Sequence, residues 1–260
     1  MPAIIPLPAF SDNYIWAIRA GDRAVVVDPG DEGPVESWLE RERVELVAIL
    51  VTHHHPDHTG GVAALARGRP ITVFGPARES IPACTRPVGG GERIVLPGMA
   101  LSLEVVDVPG HTAGHVAYVG SRRDWGDPVL FCGDTLFAGG CGRLFEGTAE
   151  VMHASLAKLA ALAPDTRVYC AHEYTIANLR FAAAVEPGNP GIAARVEREL
   201  AKREAGLPTV PSTLADEAAT NPFLRARVPA VAAAAVARAG HALDGEVGVF
   251  AALRAWKNVF

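Results

Sequence analysis

The segment Thr52-His53-His54-His55-Pro56-Asp57-His58 constrains this chain more than any other feature, because it places four imidazoles and a carboxylate close together. It follows an apolar run at residues 46–51, which is typical of a buried strand, and it precedes a predicted helix. In an extended segment, side chains two residues apart point to the same side. His53 and His55 can therefore bind one metal ion, while His54 points to the opposite side.

Asp57 and His58, at the end of this segment, point in other directions and can bind a second ion. Three further candidate ligands each follow a predicted strand: His111, Asp134 and His172. Loops at one edge of a layered α/β fold converge, so these groups can meet in one site. Two ions about 3.5–4 Å apart need a bridging anion, and Asp134 is our candidate for it. Nitrogen and carboxylate ligands suit zinc, iron(II) or manganese(II), and the spacing does not choose among them.

The other histidines are interpreted as residues that do not bind metal: His54, His115, His153 and His241. A lone histidine is more often a hydrogen-bonded core or surface residue than a ligand. His115 follows His111 by four residues and is compatible with a partner of the ligands, but the sequence favours a structural role for it.

The distribution of strand and helix patterns divides the chain at residue 174. Before it, short β-branched runs alternate with helical patterns, and the predicted strands cover residues 24–28, 46–52, 71–74, 101–108, 116–119, 129–132 and 167–171. After it, helical patterns take over, with helices predicted at 176–185, 192–205, 229–238 and 246–256. We therefore predict a mixed α/β domain over residues 1–174 and a small all-helical domain over residues 175–260.

Charge, hydropathy and cysteine usage narrow the range of partners and compartments. The formal net charge of -5 offers no basic face, so we expect no nucleic-acid partner. The sequence has no apolar run of roughly 18 residues, so we expect no membrane span. Prolines interrupt the N-terminal apolar stretch, which argues against a signal peptide. The four cysteines form no Cys-x-x-Cys pair, which favours reduced thiols in a cytoplasmic protein. We expect it to be a monomer.

The histidine and aspartate pattern over residues 1–174 resembles that of the metallo-β-lactamase superfamily. The resemblance implies an α/β fold, an αββα sandwich, with the metals at one edge of its two sheets. It also implies two groups of three ligands, one group on each ion: His53, His55 and His111, and Asp57, His58 and His172. Asp134 would bridge the two ions. Asp28, at the end of Val25-Val26-Val27-Asp28, matches a strand-end aspartate of the superfamily that helps to hold the ligand loop.

A closer resemblance extends over the full length. It rests on four stretches: Phe10-Ser11-Asp12-Asn13-Tyr14, Gly140-Cys141-Gly142-Arg143-Leu144-Phe145-Glu146-Gly147, His172-Glu173-Tyr174-Thr175 with Asn178-Leu179-Arg180-Phe181, and Arg254-Ala255-Trp256-Lys257. In these the chain is similar to the hydroxyacylglutathione hydrolases, the glyoxalase II family. The resemblance implies that four residues hold glutathione: Arg143, Tyr174, Arg254 and Lys257. Phe145 stands where the family often has tyrosine, so one hydroxyl contact to the substrate is missing here.

The sequence supports one part of this assignment independently of the resemblance. Arg254 and Lys257 lie three residues apart on a predicted helix, and therefore on one face of it. Such a pair can hold a carboxylate.

The activity implied by the resemblance is the hydrolysis of S-(2-hydroxyacyl)glutathione. The substrate would be S-D-lactoylglutathione, and the products D-lactate and glutathione, in the second step of methylglyoxal detoxification. Two divalent ions, zinc first and iron or manganese as alternatives, would hold a bridging hydroxide that attacks the thioester, with Asp57 and Asp134 as the catalytic residues. The thiolate needs little acid assistance to leave, because a thiol has a pKa of about 8.5. The sequence contains no Gly-x-Ser-x-Gly motif that would supply a serine nucleophile.

Other readings of the same pattern remain. One is a different enzyme on the same scaffold, such as a persulfide dioxygenase with a single iron, a lactonase or a β-lactamase. The complete second ligand set argues against a single iron, and the missing signal peptide argues against a secreted β-lactamase. A further alternative is a module that binds metal or glutathione without catalysis. Seven protein groups over two ions would leave coordination positions open for water, as catalytic sites do.

Overall fold

The computed structural model describes residues 2–260. Met1, the first residue of the predicted domain 1–174, lies outside the described residues. The strands are β1 (Ala3–Ala9), β2 (Asn13–Ala20), β3 (Arg23–Val27), β4 (Glu45–Leu50), β5 (Thr72–Pro76), β6 (Arg86–Val88), β7 (Arg93–Val95), β8 (Ser102–Asp107), β9 (Val116–Gly120), β10 (Val129–Gly133), β11 (Leu136–Phe137), β12 (Gly140–Cys141), β13 (Arg167–Cys170) and β14 (Ser212–Thr213). The helices are α1 (Glu32–Glu42), α2 (Pro56–Thr59), α3 (Val62–Ala66), α4 (Arg122–Trp125), α5 (Ala149–Ala160), α6 (Thr175–Val185), α7 (Pro190–Glu204), α8 (Leu214–Thr220), α9 (Pro229–Ala239) and α10 (Gly245–Asn258), with a 3₁₀ turn at Pro222–Leu224.

Two six-stranded sheets form the centre of the molecule. One has the strand order β1-β2-β3-β4-β5-β6 and the other β14-β13-β10-β9-β8-β7. Alternate residues of β3 face opposite layers, as the two-residue period of a strand requires. Val25 and Val27 join the apolar core that both sheets share, whereas Ala24 and Val26 pack with Trp38 of α1. Helix α5 buries Met152 and its neighbours in the shared core. The predicted αββα sandwich is confirmed.

All seven predicted strands are present, but seven further strands have no counterpart in the prediction, among them β2 and the edge strand β1. Its sequence contains Pro6 and Pro8, which normally argue against a strand. Strand β1 lies at the edge of its sheet and pairs only with β2, so its outer side needs no backbone donors. Proline is tolerated at this position for that reason.

The part of the chain after residue 174 is helical, as predicted, and comprises α6 to α10. It also adds one short element, because β14 pairs antiparallel with β13 through Arg167↔Thr213 and Val168↔Ser212. The helices therefore attach to the edge of the second sheet and pack along the sandwich, with Phe250 and Leu253 of α10 buried in the shared core. Among residues 2–260, no helix is both long and apolar enough to cross a membrane.

Candidate metal centre and substrate cleft

The ligand loop follows β4 and is held by the strand beside it. Asp28 comes directly after β3, and its two carboxylate oxygens accept hydrogen bonds from the backbone nitrogen and hydroxyl of Thr52, at 2.7 and 2.8 Å. Behind the loop, the backbone of Gly30 approaches so closely that a Cβ there would lie 1.9 Å from the carbonyl oxygen of Asp57. These contacts fix the position from which the loop side chains extend.

The first group of histidines converges on a single point. His55 Nδ1 lies 3.0 Å from His53 Nε2 and 3.0 Å from His111 Nε2. Two nitrogens on one tetrahedral zinc ion stand roughly 3.3 Å apart, given zinc–nitrogen distances of about 2.0–2.1 Å. His111 Nδ1 donates to the carbonyl oxygen of Arg143 at 2.9 Å, which leaves Nε2 as the unprotonated nitrogen. The arrangement is one that a divalent cation can occupy.

The second group lies beside the first and contains a carboxylate. Asp57 Oδ2 is 3.5 Å from His58 Nε2 and 3.4 Å from His172 Nε2. His58, in α2, is fully buried, and its Nδ1 lies 3.1 Å from a carboxylate oxygen of Asp28. Asp28 thus contacts both the start and the end of the ligand loop.

Asp134 stands between the two groups and directs one oxygen to each. Its Oδ1 lies 3.4 Å from both His58 Nε2 and His172 Nε2, and its Oδ2 lies 3.4 Å from His111 Nε2. The residue follows β10 directly, and its backbone nitrogen donates to His115 Nε2 at 3.2 Å. A carboxylate in this position is suited to link two cations.

The chemistry of the donor atoms fits a bound cation. Within residues 2–260, His58 Nε2 and Asp134 Oδ1 are buried and make no hydrogen bond, and buried polar atoms rarely stay unpaired. Burial alone would raise the pKa of Asp134, but the neighbouring His58 and His172 hold it well below its usual value. Burial lowers the pKa of His53 well below its usual value, which keeps that imidazole in the neutral form that binds metal. Asp134 and His53 therefore already have the protonation states that a divalent metal ion requires. Burial would lower the pKa values of His58 and His172, but Asp134 and the neighbouring carboxylates raise them, that of His172 to about 10, so these two imidazoles release a proton when a cation binds.

The two histidines nearest the ligands differ in their surroundings. His54 lies on the other side of the loop, with Nδ1 3.0 Å from Glu79 Oε2. His115 stacks on His53, with ring centroids 4.6 Å apart and planes inclined by 16°, and accepts the hydrogen bond from Asp134. Burial lowers the pKa of His115 to about 3, so the ring remains a neutral acceptor. His115 is thus a direct partner of two ligand residues, whereas the sequence favours a structural role for it.

Three residues that contact the ligand groups or the loop that carries His111 have no assigned role in the sequence prediction: Asp12, Asn13 and Glu79. Asp12 and Asn13 contact the second group. They lie within residues 10–14, one of the stretches that resemble the hydroxyacylglutathione hydrolases, and that resemblance is the sequence signal from which their role could have been predicted. Glu79 accepts from the backbone nitrogen of Gly114 at 3.0 Å and from the hydroxyl of Thr112, and so holds the loop that carries His111. Glu79 lies in a loop after β5 with no recognisable motif.

A cleft of about 450 Å³ opens beside Asp134 and His111. All four residues predicted to bind the substrate line it: Arg143, Tyr174, Arg254 and Lys257. The remaining lining is mostly apolar and includes Phe137 and Phe145. The Phe145 ring lies edge-on to His111, with centroids 5.2 Å apart. The cleft thus joins a cationic region to the metal centre.

The two basic residues of α10 are held differently. Arg254 is only 5% exposed and donates from Nη1 to the carbonyl oxygen of Cys141 at 2.8 Å, while its Nε has no partner within residues 2–260. Lys257 donates from Nζ to the carbonyl oxygen of Ala177 at 3.2 Å. Burial and the charges of Arg254 and Arg143 lower the pKa of Lys257. Arg254 therefore supports the wall of the cleft as well as lining it.

Comparison with known proteins identifies the family of this chain. Residues 10–172 match the model of the metallo-beta-lactamase superfamily, and residues 173–260 match that of the hydroxyacylglutathione hydrolase C-terminus. The structure is similar to that of ETHE1 from Myxococcus xanthus, with a TM-score of 0.63, 22% identity and coverage of 100% of this chain and 99% of that one. Fold and site together define a metallo-β-lactamase superfamily protein.

The closer relationship comes from sequence. A hydroxyacylglutathione hydrolase from Alkalilimnicola ehrlichii is 56% identical over 260 residues, which cover 99% of each chain. The chain belongs to the hydroxyacylglutathione hydrolase family. A further solved structure, of a protein in a di-iron-bound form, is 30% identical with a TM-score of 0.51 and covers 65% of this chain and 91% of that one.

Proposed function

We propose that the metal centre and the adjoining cleft together carry out the reaction for which the family is named. The chain is a thioester hydrolase, which converts S-(2-hydroxyacyl)glutathione, such as S-D-lactoylglutathione, to the 2-hydroxy acid, D-lactate, and glutathione. The observation that carries the proposal is that Asp134 and His111 belong both to the metal-binding cluster and to the lining of the cleft. A substrate held in the cleft therefore reaches the metals directly.

The resident cofactor is proposed to be two divalent metal ions, with zinc in first place and iron or manganese as alternatives. Imidazole and carboxylate donors suit all three. The proposed ligands of the first ion are His53, His55 and His111, those of the second are Asp57, His58 and His172, and Asp134 bridges. Support comes from the convergence of these groups, in which the donor atoms of each set of three lie within 4.8 Å of one another.

When bound, the ions would supply a water whose pKa is about 7 and would polarise the thioester carbonyl. Asp134 holds the two ligand groups together through its two oxygens. Asp57 is also ionised: burial would raise its pKa, but the hydrogen bond to His172 and the charge of His58 hold it well below its usual value. Its contacts to Asn13, His58 and His172 all use Oδ2, which leaves Oδ1 to accept a hydrogen bond from water and orient it.

The cleft matches the charge of the proposed substrate. Glutathione carries two carboxylates, and the cleft offers three cationic side chains: Arg143, Arg254 and Lys257. Charge-assisted hydrogen bonds to carboxylates are about twice as strong as neutral ones. The hydroxyl of Tyr174 adds a neutral donor at the boundary with the metal centre. The buried ring of Phe137, whose centroid lies 5.8 Å from that of His172, makes the wall beside the metal centre apolar.

The organisation of the protein follows from the same assignment. We propose that residues 1–174 form the metal-binding domain and that residues 175–260 bind the substrate. A single chain supplies every residue of the site, which supports a monomer. All four cysteines are free, which supports a reducing, cytoplasmic location. The net charge of -5 supports a protein with no nucleic-acid partner.

The deciding experiment compares three substrates on protein of measured metal content: S-lactoylglutathione, a simple S-acyl thiol and a β-lactam. We expect turnover to be highest with the glutathione thioester. Lys257→Ala should raise KM for that substrate about tenfold, equivalent to ~1.4 kcal/mol, and leave the simple thioester unchanged. Lys158→Ala is the matched control, because Lys158 donates to the carbonyl oxygen of Asp107, away from the cleft. Equal effects of Lys257→Ala on both thioesters would refute the proposed substrate.

A further inference from the structure

The turn between β1 and β2, together with Asn13 at the start of β2, contacts the second ligand group through two consecutive side chains. Asp12 Oδ1 lies 2.8 Å from His172 Nδ1, and Asn13 Nδ2 donates to Asp57 Oδ2 at 3.0 Å. Within residues 2–260, neither side chain hydrogen-bonds to a member of the first group, His53, His55 and His111. The turn therefore acts on one group only.

The backbone of this turn is tied to the segment that carries His172. The nitrogen of Tyr14 donates to the carbonyl oxygen of Ala171 at 2.7 Å, and the nitrogen of Glu173 donates to the carbonyl oxygen of Asp12 at 2.8 Å. Asn13 is 7% exposed and forms a β-bridge with His172. Both side chains are thus presented from a fixed backbone rather than from a free loop.

Each contact has a distinct effect on the ligand it reaches. A histidine that donates its distal N–H to a carboxylate is fixed in ring orientation and tautomer and becomes a stronger ligand. Asp12 does this for His172 and leaves Nε2 directed at Asp57 and Asp134. Asn13 fixes the carboxylate of Asp57, whose side chain is 41% exposed and, in the part of the chain that the structure describes, has no other side-chain amide or hydroxyl donor.

The first group is oriented by other means. His111 donates to the backbone carbonyl of Arg143, and His53 Nδ1 lies 3.1 Å from the hydroxyl of Thr52. Loss of Asp12 or Asn13 leaves both of these contacts in place. The two groups consequently have separate supports.

We infer that Asp12 and Asn13 are positioning residues that set the affinity of the second metal-binding group independently of the first. The inference rests on the proposed ligand assignment. Removal of a hydrogen-bonding partner of this kind lowers metal affinity by about 10–100-fold. A variant that lacks the side chain of Asp12 or Asn13 is therefore expected to retain one ion and lose the other.

The test measures zinc bound per chain by elemental analysis after equilibration with graded concentrations of a zinc chelator. In Asp12→Ala and Asn13→Ala we expect one ion to leave at about 10–100-fold lower chelator concentration than in the unaltered protein, while the other ion leaves at the unaltered concentration. Excess zinc should restore thioesterase activity. Asp22→Ala is the control, because Asp22 is an exposed carboxylate at the opposite end of β2.

The outcomes separate this inference from the proposed function. Fewer than two ions in the unaltered protein would refute the ligand assignment itself. Two ions in the unaltered protein, with variants that release both together or match the control, would refute the inference alone. Asp12→Asn, which preserves the shape of the side chain and removes its charge, is expected to shift release of one ion about tenfold. Should Asp12→Ala fail to fold, this variant decides the question.

Discussion

The rings of His172 and Tyr174 lie face to face, with centroids 4.7 Å apart and planes only 3° from parallel. His172 belongs to the second ligand group, whereas Tyr174 lines the cleft. Both residues lie in the short connection between β13 and α6, so a single residue, Glu173, separates a proposed metal ligand from a proposed substrate contact. The stack makes the position of the ligand and the shape of the cleft depend on each other.

Substitution of Tyr174 should separate the role of its ring from that of its hydroxyl. Tyr174→Phe preserves the stack and removes one hydrogen bond, so we expect KM for the glutathione thioester to rise up to about tenfold, with kcat and metal content unchanged. Tyr174→Ala also removes the stack, so kcat should fall as well. Steady-state kinetics with metal analysis check this. Identical kinetics for the two variants would show that the stack contributes nothing to turnover.

Replacement of Asp134 should affect both metal groups at once. Asp134→Ala removes the oxygen that faces His58 and His172 together with the one that faces His111. We expect bound metal to fall to at most one ion per chain and thioesterase activity to fall by more than about a hundredfold. Metal analysis and the thioester assay measure the two effects. A variant with full activity and full metal content would contradict the proposed mechanism.

A gain of function is expected at Phe145, whose side chain is 62% exposed at the mouth of the cleft. Phe145→Tyr restores the hydroxyl that the family often has at this position. We expect KM for the glutathione thioester to fall several-fold, consistent with a hydrogen bond worth about 0.5–1.5 kcal/mol, and KM for a simple thioester to stay the same. Phe10→Tyr, an equally exposed phenylalanine outside the cleft, is the control. A lower KM for both substrates would show that the added hydroxyl does not act through a contact with the glutathione part of the substrate.

The convergence of the candidate metal ligands could be predicted because they lie shortly after strands. His53, His111 and His172 each stand one or a few residues after an apolar run, and strand ends meet at one edge of the sandwich. The residues that hold these ligands in place are not indicated by the sequence pattern. Glu79 contacts His54 and the loop before β9 only because β5 lies next to β4 in the sheet. No local sequence pattern predicts that these two strands are neighbours. Such contacts depend on strand order.

The behaviour of Arg254 shows a second limit of the sequence. Its spacing from Lys257 correctly places both residues on one side of α10, where they line the cleft. The spacing does not show that Arg254 is buried and bonded to the backbone of Cys141, more than a hundred residues earlier in the chain. That contact depends on how α10 packs against the sheets. The sequence predicts the face of a helix, but not the depth to which a side chain is buried.

A buried ion pair between α7 and α8 should dominate the stability of the helical part. Glu217 and Arg195 are 0% and 1% exposed, and Glu217 also accepts from the backbone nitrogen of Gly139 at 2.7 Å. Glu217→Ala leaves the charge of Arg195 buried and unpaired, so we expect a loss of about 3–5 kcal/mol in the free energy of unfolding. Urea denaturation of the metal-loaded protein measures it.

The matched control for that prediction is an exposed pair. Glu36 accepts from Arg69 at 2.7 Å at the surface, and Glu36→Ala should cost only about 0–1 kcal/mol. Similar losses for the two glutamates would mean that burial of the Glu217 pair is not what stabilises this region.

The cysteines should be unreactive in the folded protein. Burial raises the pKa of the Cys170 thiol to about 12, and burial also raises the pKa values of Cys132, Cys141 and Cys84. Since the reactive species is the thiolate, which forms only as pH approaches these raised values, almost none is present at pH 8. We expect a thiol reagent to modify at most one residue, Cys84, at pH 8, and four in denaturant. Rapid modification of more than one would contradict the buried positions.

The two-residue strand β14 limits how the helical part can be exchanged by protein engineering. Chimeras that exchange the helical segment between relatives are an obvious route to new acyl preferences, with the junction placed at residue 174. Such an exchange also transplants the outermost strand of the second sheet, since Ser212 and Thr213 pair with β13 of the host. A successful graft must therefore match backbone register at that edge as well as side-chain chemistry in the cleft.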